Sequence, residues 1–169
     1  MLALGGDGSL LIAILTAHPK MKGILLDLPE VAVKAKQKIS EAGLRLSGRG
    51  KIVAGDAFDS VPSGADAYIL SRVINSFDDK RAIAILQSCH RAIQDEGKLL
   101  LLERVVPDRV EHSLAAQGPA MSELNLMVIG GGRERTAMEH TALLGAAGFT
   151  LMKIFPTQSE VSVIEAEAV

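Results

Sequence analysis

The chain begins with the stretch Leu2-Ala3-Leu4-Gly5-Gly6-Asp7-Gly8-Ser9, which joins a short apolar strand to a glycine turn and the start of a helix. Glycine lets a backbone approach a ligand closely, and a helix N-terminus favours negative charge. On position alone the stretch also fits a plain tight turn. The apolar run from Leu10 to Leu15 follows it with no basic region in front, so we interpret the run as a buried helix rather than a targeting segment.

The rest of the chain alternates short apolar runs with longer stretches of helical periodicity. The pattern predicts strands at residues 2–4, 23–27, 51–54, 67–70, 98–103, 149–155 and 161–167, and helices at 30–42, 78–94, 114–129 and 136–147. The strand at 98–103 is apolar on both faces, which is typical of a mostly parallel sheet. We therefore predict an α/β fold: a mostly parallel seven-stranded sheet with an antiparallel closing strand, helices on both faces and a truncated first strand.

Composition limits the classes of function. The 169 residues fit one domain, and 48% of them are apolar, which is enough for a sizeable core. With 18 Lys and Arg against 20 Asp and Glu, and 3% aromatics, the chain lacks the basic excess and stacking surface of a nucleic-acid binder. The apolar runs are too short for a membrane span. The single cysteine cannot form an internal disulfide and fits a cytoplasmic location. No His, Asp and Glu spacing resembles a metal site, so we predict none.

Two aspartates follow predicted strands at positions suited to a nucleoside. Asp27 comes 19 residues after Gly8, where a carboxylate can accept both hydroxyls of a ribose, although an Asp that caps the helix after Pro29 fits nearly as well. Asp56 follows the third strand and can accept from an adenine amino group, or can form an ordinary turn. Together with the glycine turn, they predict a nucleoside-containing cofactor at the carboxyl ends of the strands. By contrast, Cys89 lies at helical spacing with apolar residues, which favours the core over a nucleophile.

Six segments carry a resemblance to a known family. They are Gly5-Gly6-Asp7-Gly8-Ser9-Leu10, Leu26-Asp27-Leu28-Pro29-Glu30-Val31, Gly55-Asp56-Ala57-Phe58, Val73-Ile74-Asn75-Ser76-Phe77-Asp78-Asp79, Leu102-Glu103-Arg104-Val105 and Gly131-Gly132-Arg133-Glu134-Arg135-Thr136. In order and spacing the chain resembles the S-adenosylmethionine-dependent O-methyltransferases that act on small hydroxylated, often aromatic, metabolites in plants and bacteria. The resemblance extends over nearly the whole chain.

The resemblance implies a Rossmann-like class I methyltransferase fold, with residues 1–169 as one S-adenosylmethionine-binding domain. The family's N-terminal winged-helix dimerisation domain is absent from these residues. In the family, the glycine turn contacts the methionine part of the cofactor, the first Asp holds the ribose, and the second Asp and the Phe flank the adenine. The implied cofactor-binding residues are Gly5, Gly6, Gly8, Asp27, Leu28, Asp56, Ala57, Phe58 and Ser71, the last standing where the family often has a Lys.

The chain departs from the family at its catalytic positions. Asn75 stands where most members have the catalytic His, and Glu103 and Glu134 match the two acids that flank it. An amide is no general base, but it can orient a substrate oxygen. His112 is an alternative base, although a solvated loop His is the more ordinary interpretation. Glu103 also fits a strand-end acid paired with Arg104 or Arg133, and Glu134 a surface charge.

Leu2 and Leu4 are a further departure, because they replace the acidic residue and the first glycine of the family's Asp-x-Gly-Gly-Gly-x-Gly. Because Leu4 is bulkier than glycine, we expect the backbone to approach the cofactor less closely here than in the family.

The resemblance implies transfer of a methyl group from S-adenosylmethionine to a hydroxyl of a small, aromatic metabolite, with Asn75, Glu103 and Glu134 as the catalytic set. One alternative is a catalytically impaired or inactive cofactor-binding module. Another is a nicotinamide-dependent oxidoreductase, which fits the glycine turn and Asp27 but not the later segments. We also expect self-association, as in the family's homodimers, mainly through the helix at residues 114–129.

Overall fold

The computed structural model describes residues 1–42, 48–94, 96–107 and 131–169. Strands and helices alternate at the start of the chain, and the chain ends in two successive strands, as the sequence predicts. The strands are β1 (Leu2–Leu4), β2 (Gly23–Asp27), β3 (Gly50–Ala54), β4 (Ala67–Ser71), β5 (Lys98–Glu103), β6 (Val105–Val106), β7 (Arg135–Thr136), β8 (Phe149–Pro156) and β9 (Ser162–Ala168). The helices are α1 (Ser9–Ala17), α2 (Pro29–Glu41), α3 (Asp79–Ala92) and α4 (Ala137–Ala146), with a 3-10 turn at Ile74–Ser76.

Seven of these strands form one sheet in the order β3-β2-β1-β4-β5-β9-β8. The pairs from β3 to β5 are all parallel, whereas β9 runs antiparallel to both β5 and β8. The order reverses at β1, which pairs with β2 on one side and β4 on the other. After β1 the chain continues to β2 on one side of the sheet, and after β4 it continues to β5 on the other side. A crevice therefore opens between the carboxyl ends of β1 and β4.

The sheet separates two cores, which places helices on both of its faces. Alternate residues of β1 point to opposite faces, so Leu2 and Leu4 pack in the core that contains α3 and α4, while Ala3 packs in the core that contains α1. All three are at most 3% exposed. The three residues of β1 are thus buried on both faces of the sheet. This burial suits an apolar residue at Leu2, the position where the resemblance implies an acid.

Local sequence signals fix the starts of the helices. Pro29 is the first residue of α2, where no backbone N–H is required. Asp78 caps α3 by accepting from the backbone N–H of Arg81 at 2.8 Å. Thr136 and Glu139 form a reciprocal capping box at the start of α4.

A small parallel pair, β6 with β7, is an element that the sequence analysis did not predict. Val105 lies opposite Arg135, and Val106 opposite Thr136. Since Glu103 precedes β6 by two residues and Glu134 directly precedes β7, this pairing brings the two glutamates to the same place. The predicted helix at residues 114–129 and the candidate base His112 lie outside the described residues.

Candidate functional site

A cavity of about 510 Å³ lies at the carboxyl ends of β1, β2 and β3, against the start of α3. Seven of the residues expected to bind a cofactor line it: Gly5, Gly6, Asp27, Leu28, Asp56, Ala57 and Phe58. Two others, Gly8 and Ser71, are not among its lining residues. Leu4 contributes to the lining but is 3% exposed and packs in the core, so its side chain points mainly into the protein.

The glycine turn has a backbone that few other residues adopt. Gly5, Gly6 and Gly8 have φ angles of 89°, 95° and 85°. A Cβ on Gly5 would lie 2.7 Å from Val73 Cγ2, whereas a Cβ on Gly6 would meet nothing within 4 Å. Gly5 is therefore needed for packing, whereas Gly6 lines the cavity and has open space at its Cβ position. Gly8 faces α2, where Ala35 and Ile39 are its neighbours.

Asp27 joins the glycine turn to the start of α2. Its Oδ2 accepts from the Gly6 N–H at 2.9 Å, and its Oδ1 accepts from the Leu28 N–H at 2.8 Å. The side chain does not cap α2, because Leu28 holds the capping position and α2 has no side-chain cap among the described residues. Each carboxylate oxygen keeps a lone pair for a further donor, as binding of a ribose requires.

An aromatic wall forms the other side of the cavity. Asp56 Oδ1 accepts from the Phe58 N–H at 2.9 Å, so Asp56 makes the ordinary turn and also lines the cavity. The rings of Phe58 and Phe77 meet edge to face, with centroids 5.3 Å apart. The Arg81 guanidinium lies over both rings, 5.0 Å and 4.6 Å from their centroids.

Phe77, Arg81 and Ile85 line the cavity although they were not among the predicted site residues. They are spaced four residues apart, so they lie on one side of α3 and of the turn that precedes it. This spacing is the sequence signal that would have found them.

Asn75 belongs to the 3-10 turn, and Glu103 and Glu134 lie near that turn. All three residues are at most 3% exposed. Glu103 Oε1 accepts from the N–H groups of Val73 and Ile74, at 3.1 Å and 3.2 Å. The backbone of Gly132 packs so tightly against the turn that an added Cβ would lie 2.2 Å from the Asn75 carbonyl oxygen. The structure therefore brings together the three residues that the resemblance nominates for catalysis.

The simpler interpretations of the two glutamates are wrong. Glu103 is not paired with either arginine, since Arg104 pairs with Glu160 and Arg133 pairs with Asp79 and Glu139. Glu134 is no surface charge, because its side chain is 1% exposed. Its charged neighbour is Arg72, whose Nη2 lies 3.8 Å from Glu134 Oε1.

Burial changes the acidity of this cluster. Burial, together with the nearby Glu134 carboxylate, raises the pKa of Glu103 to about 8, although the backbone N–H groups of Ile74 and Val73 oppose the change. Arg135 holds the turn that carries Asn75, because its buried guanidinium donates to Ile74 O at 3.1 Å and to Phe77 O at 2.9 Å. Burial also raises the pKa of Cys89 to about 12, which agrees with its predicted place in the core.

A larger cavity of about 610 Å³ lies at the opposite edge of the sheet, where several lysines line it. Among the described residues, its lining contains no buried polar side-chain atom that lacks a partner. It therefore shows no sign of a built binding site. Within the same residues, no group of three or more His, Cys, Asp or Glu side chains is placed to hold a metal ion, and no helix is long and apolar enough to span a membrane.

The sheet order, the glycine turn and the aspartates at successive strand ends define a Rossmann-like domain of the kind that binds a nucleoside-containing cofactor. The chain belongs to the family of O-methyltransferase domains, whose model matches residues 2–150. The family inferred from the sequence motifs is thus confirmed.

Named relatives support this membership. The chain is 41% identical over 164 residues to phenazine O-methyltransferase PhzM of Lysobacter antibioticus, covering 97% of this chain and 46% of that protein. It is 39% identical over 164 residues to 2,7-dihydroxy-5-methyl-1-naphthoate 7-O-methyltransferase of Streptomyces carzinostaticus, with the same coverage. The chain thus spans about half the length of these relatives.

Solved structures confirm the class I methyltransferase fold. The crystal structure of LaPhzM matches with a TM-score of 0.90 and 39% identity, over 99% of this chain and 50% of that one. The O-methyltransferase NcsB1 from neocarzinostatin biosynthesis, in complex with S-adenosylmethionine and 2-hydroxy-5-methyl naphthoic acid, matches with a TM-score of 0.88 and 36% identity, over 99% of this chain and 48% of that one. These matches favour neither the nicotinamide-dependent oxidoreductase nor the inactive module.

Proposed function

We propose that the chain is the cofactor-binding and catalytic domain of an enzyme that transfers a methyl group from S-adenosylmethionine to a hydroxyl of a small aromatic metabolite. The observation that carries this proposal is the cavity at the carboxyl ends of the strands, with its glycine turn and aspartates, in a chain of the O-methyltransferase family. The named acceptors of two relatives, a phenazine and a naphthoate, support an aromatic substrate.

The lining residues fit the cofactor part by part. Asp27 offers free lone pairs to the two ribose hydroxyls, and Phe58 and Phe77 offer apolar surface to the adenine. The open space above Gly6 leaves room for the methionine part, whose carboxylate is favoured near the N-terminus of α1. The cofactor-binding set is therefore Gly5, Gly6, Asp27, Leu28, Asp56, Ala57 and Phe58, with Gly8 and Ser71 in supporting positions.

When bound, S-adenosylmethionine supplies an electrophilic methyl carbon on a positively charged sulfur. The protein contributes alignment and exclusion of water. We place Asn75 beside the bound methyl acceptor, because the turn that carries Asn75 also carries Ser76, which lines the cavity. Glu103 and Glu134 lie on the protein side of Asn75. The amide oxygen can accept a hydrogen bond from the substrate hydroxyl. This bond holds the hydroxyl oxygen toward the methyl carbon.

A calorimetric titration with S-adenosylhomocysteine, and with NAD as the control ligand, tests the cofactor. We expect a micromolar Kd for the former, about −8 kcal/mol, and no binding of NAD. Methyl transfer is then measured with labelled S-adenosylmethionine and 1,4-dihydroxy-2-naphthoic acid, a ligand of NcsB1 in a second structure. Absence of S-adenosylhomocysteine binding by a folded chain would contradict the proposal.

Self-association and location in the cell belong to the same proposal. We propose that the chain self-associates, as expected from the family, and that it acts in the cytoplasm on a small hydroxylated molecule. Sedimentation velocity at rising concentration tests the first statement, and cell fractionation tests the second.

A further inference from the structure

A lysine at the far end of α2 is bonded to the glycine turn. Asp7 Oδ1 accepts from the N–H of Ser9, the first residue of α1, at 3.1 Å. The Lys38 ammonium donates to Asp7 Oδ2 and to Ser9 Oγ, the latter at 3.0 Å. Lys38 belongs to the last turn of α2, and neither it nor Asp7 is among the residues that line the cavity. One side chain outside the cavity therefore joins α2 to the start of α1.

The side of α2 that carries Lys38 also packs on the glycine turn. A Cβ added to Gly8 would lie 3.6 Å from Ala35 Cβ and 3.6 Å from Ile39 Cδ1. Ala35 lies three positions before Lys38 and four before Ile39, which places all of them on one side of the helix. Contact with α2 therefore holds the turn at Gly8 by packing and at Asp7 by a charged hydrogen bond.

Asp7 brings a negative charge to a helix end that attracts negative charge. Hydrogen bonds from Lys38 and Ser9 hold the pKa of the Asp7 carboxyl well below its usual range, so Asp7 is ionised near neutral pH. The first turn of α1 itself contains no acidic residue. An uncompensated Asp7 would repel a second carboxylate at this helix end, which is where the proposed function places the carboxylate of the methionine part.

We propose that Lys38 is a positioning residue that neutralises Asp7, so that the N-terminus of α1 remains able to bind the carboxylate of the methionine part. Lys38 acts through Asp7 and makes no contact with the cofactor. The inference rests on the proposed function, and it adds a residue remote from the cavity to those that determine the affinity for the cofactor. Its effect is selective, because the adenosine part meets Asp27 and the aromatic wall instead.

Two ligands that differ at the methionine part test this selectivity. S-adenosylhomocysteine carries the carboxylate, whereas 5′-methylthioadenosine keeps the adenosine and the sulfur and lacks the carboxylate. Calorimetry gives the Kd of each. We expect Lys38→Met to raise the Kd for S-adenosylhomocysteine about fivefold, the upper end for one charge interaction at an exposed site, and to leave the Kd for 5′-methylthioadenosine unchanged. Lys38→Arg, which keeps the charge, should retain the wild-type Kd for both ligands.

Asp7→Asn supplies a matched control, because its amide oxygen can still accept from Ser9 but carries no charge. Alone, this variant should bind S-adenosylhomocysteine at least as tightly as the wild type. Combined with Lys38→Met, it should restore the wild-type Kd, since neither charge is then present. Lys36→Met removes an exposed lysine from another side of α2 and should leave both Kd values unchanged. The effect of Lys38→Met should also shrink in about 1 M sodium chloride, which screens exposed charges.

Three results would overturn the inference. An unchanged Kd for S-adenosylhomocysteine in Lys38→Met would mean that Asp7 needs no compensation. An equal loss of affinity for both ligands would mean that Lys38 only maintains the shape of the turn. A double variant as weak as Lys38→Met alone would mean that the charge of Asp7 is not the cause. Both side chains are about half exposed, so we expect all variants to fold, and urea unfolding checks this.

The same titrations separate this inference from the proposed function. A folded wild type that does not bind S-adenosylhomocysteine would refute the proposed function and this inference with it. A wild type that binds S-adenosylhomocysteine, together with any of the three results above, would refute the role of Lys38 and leave the proposed function in place.

Discussion

Alanine at Gly5 and alanine at Gly6 form a matched pair that tests how the glycine turn builds the cavity. Both glycines have strongly positive φ angles, 89° and 95°. That conformation costs an L-residue about 1–2 kcal/mol. Only Gly5 is also tightly packed, because its added Cβ would lie 2.7 Å from Val73 Cγ2 and 3.1 Å from the Ser71 carbonyl oxygen.

The two variants should therefore differ in stability. Val73 is β-branched and stiff, and the Ser71 carbonyl belongs to β4, so neither can move aside cheaply. Overpacking of this kind costs about 1–3 kcal/mol beyond the backbone strain. We expect Gly5→Ala to lose about 2–5 kcal/mol of unfolding free energy, and Gly6→Ala about 1–2 kcal/mol.

Urea unfolding followed by circular dichroism measures both losses, and calorimetry with S-adenosylhomocysteine measures the effect on the cavity. Gly6→Ala should weaken binding despite its smaller loss of stability, because its methyl group projects into the open cavity. Equal unfolding free energies for the two variants would refute the reasoning, since the described contacts at Gly5 would then carry no energetic cost.

Three other variants test separate parts of the structure. Asp27→Ala should weaken S-adenosylhomocysteine binding by at least about tenfold, because a carboxylate placed for two ribose hydroxyls is lost; an unchanged Kd would exclude this role. Tyr68→Phe should lose about 1–3 kcal/mol in urea unfolding, because the hydroxyl donates to Ala92 O at 2.8 Å and that carbonyl is left unsatisfied; full wild-type stability would contradict this. Glu103→Gln should gain stability relative to the wild type as pH rises from about 4.5 to about 8, because the raised pKa of Glu103 makes ionisation oppose folding across that interval. The gain is at most about 1.4 kcal/mol per pH unit, and a difference that does not vary with pH would be evidence against the buried acid.

Helix and strand positions were predictable because their signals are local. The capping aspartate of α3, Pro29 at the start of α2 and the apolar strand at 98–103 each act within a few residues. The predicted bounds therefore agree with the structure to within about two residues wherever the structure describes the chain. The short pair of β6 with β7 was missed, since it joins strands of two residues each that lie far apart in the sequence.

For the site, the sequence by itself determined the family, the glycine turn, and Asp27 and Asp56 at the ends of successive strands, because motif spacing and strand order are carried by local pattern. Only the tertiary structure decided that Gly8 and Ser71 stand outside the cavity lining and that Phe77, Arg81 and Ile85 complete it. It also decided that Glu103 and Glu134 are buried near the turn that carries Asn75. The burial of the two acids depends on how β6 and β7 pair across the fold, because that pairing joins segments far apart in the sequence. Burial in turn shifts the pKa of the acids.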